Sequence, residues 1–348
     1  MKLHRGPGLF LFLFLCALGA SYVLASRMGY LDRLQERYFP STREAVRLSP
    51  GDFPAGVAAP VADVASVPLR PVLIGFSPRG ASAGLLVAAG GATTLDNPVP
   101  PPGAAQGLLK TAYALDARAV LFAKEDDLRH ALAIGAENGG VDMATLSVDR
   151  LAAWAPSLRD AAPRTLMLVG RSRGQEALAA VGVPDLASLR GKRLGVYPYG
   201  SSHYFALWLL SRAVLATTAD APHLVATVLV ARGDFAARYP DAVRRVLRGL
   251  LDTGQSVLKD PTAGARMLGE VAPYLGDPIE AIRSAPPATL ADNRAFFGLS
   301  GEAPVTYDEL FQSAAALFQK LKRGPPVPPA EDTKDLGALK YVSEARGP

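Results

Sequence analysis

The chain holds a single cysteine, Cys16, among its 348 residues. That excludes an intrachain disulfide and any cysteine-built metal site. Histidine is nearly as scarce: His4, His130, His203 and His223 are the four, and none pair at metal-ligand spacing. No metal and no cofactor is expected. The sequence also lacks GxSxG, HExxH and P-loop motifs. His203 follows Ser201 and Ser202 closely, but neighbours at a helix start do not face each other as nucleophile and base do. An enzyme is therefore not expected. Long runs of one charge are missing too. Lys and Arg number 37 against 32 Asp and Glu, a net charge of +5, with no basic run interleaved with aromatics. Nucleic acid is not an expected partner; a mildly basic surface favours small anions.

What is present is core-forming material. Hydrophobic residues make up 49% and charged residues 20%, a globular balance. The one long apolar run is at the start: Lys2, His4 and Arg5 precede residues 8–25, which carry no charge. The run is longer than a usual signal core and slightly shorter than a full span. Val23-Leu24-Ala25 would serve as a cleavage site, while Tyr22, Arg27, Tyr30, Arg33 and Arg37 suit an interface. Residues 1–26 are thus a signal peptide or a membrane anchor. Either way the remainder is exported: periplasmic, secreted, or held to the membrane by residues 8–25. Residues 27–69 read as a juxtamembrane linker.

From Pro71 the pattern becomes strand, helix, strand. Short apolar runs predict strands at 72–76, 117–123, 141–146, 164–170, 194–197 and 224–230. Helices are predicted at 83–89, ended by Gly90, at 124–135 with an acidic first turn, and at 203–213. Pro240 opens a helix with Val243, Val246, Leu247, Leu250 and Leu251 on one face, and helices follow at 261–270 and 278–284. Thr306 and Glu309 form a capping box before another amphipathic helix. From Gly324 the chain is Pro-rich, then charged, and is expected to be a loose tail. The order implies an α/β fold with a largely parallel sheet.

In such sheets ligands collect at the carboxyl ends of strands. Three polar loops share that position. Ser77, Arg79 and Gly80 follow the first strand, Thr145 and Ser147 the third, and Gly200-Ser201-Ser202 stands between a strand and a helix start, where backbone N–H groups favour an anion. Each alone reads more readily as an ordinary turn or cap; together they point at one crevice. Tyr199 and His203 are candidate pocket walls, whereas Trp208 reads as core. Arg79 and Arg171 are candidate counter-charges.

These segments resemble the periplasmic solute-binding proteins of ABC importers, of the nitrate, sulfonate, taurine and thiamine-precursor type. The similarity is carried by VLIGFSPRG, by ALAIGAENGGVDMATLSVDRL with its Gly-x-Val-Asp, by LASLRGKRLGVYPYGSSHYFALWLL, by VATVLVARGDFAARYPDAVRRVLRGLLDTGQSVLKDP, and by ATLADNRAFFGLS around Asn293 and Phe296-Phe297. It implies a periplasmic binding protein type II-like α/β fold, two lobes around a ligand cleft. Lobe I would comprise 70–170 and, mostly helical, 225–322; lobe II would be 171–224, with 323–348 the tail. It also implies a small, anionic, sulfonate-like organic ligand and a partner permease in the inner membrane. One departure is plain: between 211–218 and the return strand, a strand, a helix and a second Gly-x-Val-Asp strand are missing, so lobe II is shortened. A membrane-anchored sensor or scaffold that keeps the fold without transport is the alternative reading.

Overall fold

The computed structural model describes residues 67–97, 106–176, 187–189, 191–196, 200–212, 223–320 and 326–345, all within one compact unit. The N-terminal segment 1–66, Tyr199 and parts of the expected second lobe, 177–186, 190, 197–199 and 213–222, lie outside the described residues.

Six strands form one sheet in the order β2-β3-β1-β4-β6-β5. They are β1 (Val72–Phe76), β2 (Ala92–Thr93), β3 (Ala117–Leu121), β4 (Met143–Ser147), β5 (Arg164–Arg171) and β6 (Ala226–Ala231). The first four run parallel; β6 runs against both of its neighbours, β4 and β5. Every residue of β4 and β6 is buried. Both faces of the sheet's centre are covered, which is why these strands read as continuous apolar runs without alternation.

Helices cover the sheet: α1 (Ala83–Ala89), α2 (Leu108–Thr111), α3 (Glu125–Ile134), α4 (Val148–Trp154), α5 (Ser201–Arg212), α6 (Gly233–Arg238), α7 (Pro240–Lys259), α8 (Thr262–Val271), α9 (Pro278–Ser284), α10 (Leu290–Phe296), α11 (Tyr307–Gln319) and α12 (Gly337–Ala345). Gly90 ends α1 at φ 84°, the left-handed value that spares glycine a Cβ clash. On α7 the anticipated face of Val243, Val246, Leu247, Leu250 and Leu251 is buried. Buried beside it is Arg245, paired with Asp241 at 2.8 Å and donating to Tyr113 O at 3.0 Å. The Thr306–Glu309 capping box of α11 forms as expected.

Two expectations fail. Residues 191–196 carry no strand, so the run around Leu194 does not join a sheet. Gly195 separates its two apolar residues, Leu194 and Val196, which are only half buried. The tail, for its described part, is not loose. Ala330, Leu339 and Val342 are buried in the main core. Thr333 Oγ1 lies 2.7 Å from the Tyr307 hydroxyl, which in turn lies 3.0 Å from Thr165 Oγ1. Arg244 and Arg248 sit over the Tyr341 ring at 4.5 and 5.4 Å. The Pro-rich composition conceals a short apolar stripe that binds back to α7.

The outer edge of β5 is also closed. Asn293 Oδ1 accepts from Leu168 N at 2.7 Å, and Asn293 Nδ2 donates to Leu168 O at 3.0 Å. Ala288 N donates to Val169 O and Asp335 N to Thr165 O. A bare edge strand would offer these groups to another chain; here side chain and loops satisfy them.

Candidate functional site

The carboxyl ends of β1, β3 and β4 open on a cleft of about 730 Å³. The loop after β1 brings Ser77 and Arg79, the loop after β3 brings Lys124 and Glu125, and α4 brings Arg150. The far wall is Gln175 and Glu176 beyond β5, with Ser201 and Ser202 at the start of α5. Tyr274, Asp277 and Glu280 form an exposed rim at the start of α9.

Charges in this cleft are matched against one another. Arg79 Nη2 lies 3.1 Å from Glu125 Oε1 and Arg79 Nη1 lies 3.3 Å from Glu176 Oε1. Arg150 pairs with Glu125 and lies over the Trp154 ring at 5.3 Å. Ser172 Oγ donates to Glu176 Oε2 at 2.5 Å. Beneath them Asp149 is 1% exposed, on a helix whose every residue is buried. Burial pushes its carboxyl up to about 6, against the nearby Ser147 hydroxyl and Arg79 guanidinium, which favour the charged form. Neither Asp149 oxygen has a well-formed hydrogen bond, and Ser77 Oγ is likewise buried without a partner.

The structure brings together four of the residues singled out from sequence, Ser77, Arg79, Ser201 and Ser202. Ser147 lies just beneath, its Oγ 3.0 Å from Ser201 Oγ, both side chains buried. Gly200 supplies the carbonyl that accepts from Tyr204 N in the first turn of α5. The others are placed elsewhere. Thr145 is 4% exposed inside the sheet, registered against Phe76 and Leu229. Gly80 is a packing glycine: a Cβ there would stand 1.8 Å from Ala281 O. His203 packs its ring 5.8 Å from that of Phe318, and burial lowers its pKa. Tyr204 is fully buried, and Trp208, half buried, stacks on Phe205. Tyr199 lies outside the described residues.

Sequence reading missed Glu125, Arg150 and Glu176. Glu125 reads as one of three acids favoured by a helix dipole; what distinguishes it is that β3 pairs with β1, which sets its loop beside Arg79. Asp149 and Arg150 sit inside the SVDRL segment, and no local pattern marks two adjacent charges there as buried. Among the described residues no cluster of His, Cys, Asp or Glu could hold a metal ion, and no helix is long and apolar enough to cross a membrane.

A mixed sheet with one reversed strand, helices on its faces, and a cleft at the strands' carboxyl ends define the class by architecture: the chain has the periplasmic binding protein fold. Two solved structures share it. One is the periplasmic aliphatic sulphonate binding protein SsuA from Escherichia coli, with TM-score 0.52 and 13% identity, over 76% of this chain and 92% of that one. The other is the alkanesulfonate-binding protein SsuA from Xanthomonas axonopodis pv. citri bound to MOPS, with TM-score 0.50 and 13% identity, over 78% of this chain and all of that one. At that identity the likeness is one of fold. No family model and no curated protein sequence matches the chain.

Proposed function

We propose that the chain is an extracytoplasmic solute-binding component of an ABC importer, without enzymatic activity, that captures a compact organic acid in the cleft. The N-terminal segment would export it or hold it to the membrane, and a permease would receive the ligand. The two lobes would be residues 70–170 with 225–322 and the shortened 171–224. The observation that carries the reading is Arg79, held between Glu125 and Glu176 in a cleft that Ser201 and Ser202 also line. The volume suits a small polar ligand.

The lining charges refine the class. Arg79, Arg150 and Lys124 face Glu125, Glu176, Asp277 and Glu280. A purely anionic ligand would have to displace carboxylates from the guanidiniums. A ligand with both an acid and an ammonium group replaces each ion pair with another, so an aminosulfonate suits the cleft better than a plain sulfonate.

The test is the melting midpoint of the full chain with 2-aminoethanesulfonate, ethanesulfonate or ethylammonium. Binding to the folded state adds about 2.7 kcal/mol at a hundredfold excess over Kd. The zwitterion should raise the midpoint most. A panel that moves nothing would remove the importer reading and favour the sensor or scaffold, which the ion pairs of Arg79 and Arg150 with the cleft's own carboxylates also suit.

A further inference from the structure

A second cavity, of about 450 Å³, lies beyond the carboxyl end of edge strand β5, lined by a different set of residues. Arg171, Arg173, Arg294 and His223 line it, with Asp292 and Glu302 as its carboxylates. Three guanidiniums against two carboxylates leave the cavity cationic.

Arg171 is the telling residue. It is the last residue of β5 and only 8% exposed, yet its Nε and Nη2 are buried with no hydrogen-bond partner. Its remaining nitrogen, Nη1, stands 3.9 Å from Asp292 Oδ1, beyond hydrogen-bond distance. The other Asp292 oxygen is engaged in capping α10, accepting from Thr289 N and Oγ1 at 2.8 and 2.7 Å. The guanidinium lies 5.0 Å over the Phe296 ring. His223 Nδ1 is likewise buried without a partner. Burial lowers the pKa of Arg171, and burial with the two neighbouring arginines lowers that of His223. A buried cation with unmade hydrogen bonds is costly unless something completes it.

We propose that this cavity is an anion site, separate from the main cleft, for monohydrogen phosphate or a singly protonated phosphomonoester, each of which keeps a P–OH, with Arg171 as its anchor. The guanidinium fork matches two oxygens of a tetrahedral oxyanion, and Arg173 supplies a further cation. The carboxylates choose among oxyanions. Monohydrogen phosphate can donate its P–OH to Asp292 or Glu302, whereas sulfate has no proton to give and meets them as like charge.

The experiment is calorimetric titration of the full chain with inorganic phosphate, glycerol 3-phosphate and sulfate. Phosphate or glycerol 3-phosphate should bind one to one; the tighter of the two tells whether the free ion or an organic monoester is the natural occupant. Arg171→Met should weaken binding at least about tenfold, and Arg171→Lys should recover part of it, since lysine keeps the charge and not the fork. The exposed Arg173→Met carries the same expectation if Arg171→Met does not fold. Arg79→Met should bind phosphate as the unaltered chain does. No binding of either phosphate compound would overturn the proposal. So would sulfate binding as tightly as phosphate, or binding lost in Arg79→Met and kept in Arg171→Met, which would place the anion in the main cleft.

Discussion

Asn293 holds the peptide groups of Leu168 as a neighbouring strand would. Its Oδ1 accepts from Leu168 N, and its Nδ2 donates to Leu168 O and, at 3.0 Å, to Thr289 O. One fully buried side chain thereby completes the edge of the sheet from a helix.

Replacing it should therefore cost more than its size implies. Asn293→Leu is nearly isosteric but leaves a buried N–H and a buried C=O on β5 unpaired. At about 1–3 kcal/mol for each unsatisfied group, a loss of roughly 2–5 kcal/mol is expected. Urea unfolding measures it; a loss under about 1 kcal/mol would show that the edge finds other partners.

Asp149 predicts an unusual pH dependence. Its folded-state pKa, about 6, lies above its ordinary value of 3.8, so the folded chain binds this proton more tightly than the unfolded chain does. Its contribution is therefore most favourable at low pH, falls as pH rises from about 4 to about 6, and is then constant. A shift of about two units corresponds to about 3 kcal/mol. Asp149→Asn removes the titration, so its stability relative to the unaltered chain should improve across that window, by roughly 1–3 kcal/mol at neutral pH. A difference between the two proteins that is flat from pH 4 to 7 would refute the buried-acid account.

Gly80 separates packing from binding. An alanine Cβ would meet the Ala281 carbonyl, which is backbone of α9 and cannot rotate away. Gly80→Ala should destabilise the fold by at least about 1–3 kcal/mol, an effect visible in a melt with no ligand present. An unaltered melt combined with weaker ligand binding would instead return Gly80 to the site, where the sequence alone had placed it.

What was legible in the chain follows from where its information is local. The Gly200-Ser201-Ser202 stretch announces a helix start because a glycine and two hydroxyls interrupt apolar residues, and the helix does begin at Ser201. The capping pair Thr306–Glu309 is equally local. Arg79 could be nominated from its loop, but not its partners: Glu125 and Glu176 are 46 and 97 residues away and meet it only through strand order. Thr145 and Gly80 show the reverse error. A polar or small residue at a strand end looks available, yet one is buried and the other lets two backbones approach closely. The burial of α4 escapes notice because two charges break its apolar pattern while their counter-charges lie on other elements. The tail misleads because Pro and charge outweigh a few apolar residues in composition, though Leu339 and Val342 suffice to seat it.

The reversed direction of β6 carries a consequence for how such a chain can vary. The excursion between the strands leaves at Arg171, on β5, and returns at Ala226, on β6, residues that are paired across the ladder. Just outside them, Ser172 N donates to Val225 O at 2.9 Å. Departure and return are thus one doorway, a single bonded pair wide. Whatever is threaded through it can grow or shrink without moving the sheet, because the separation of its two ends is set by the ladder and not by its own length.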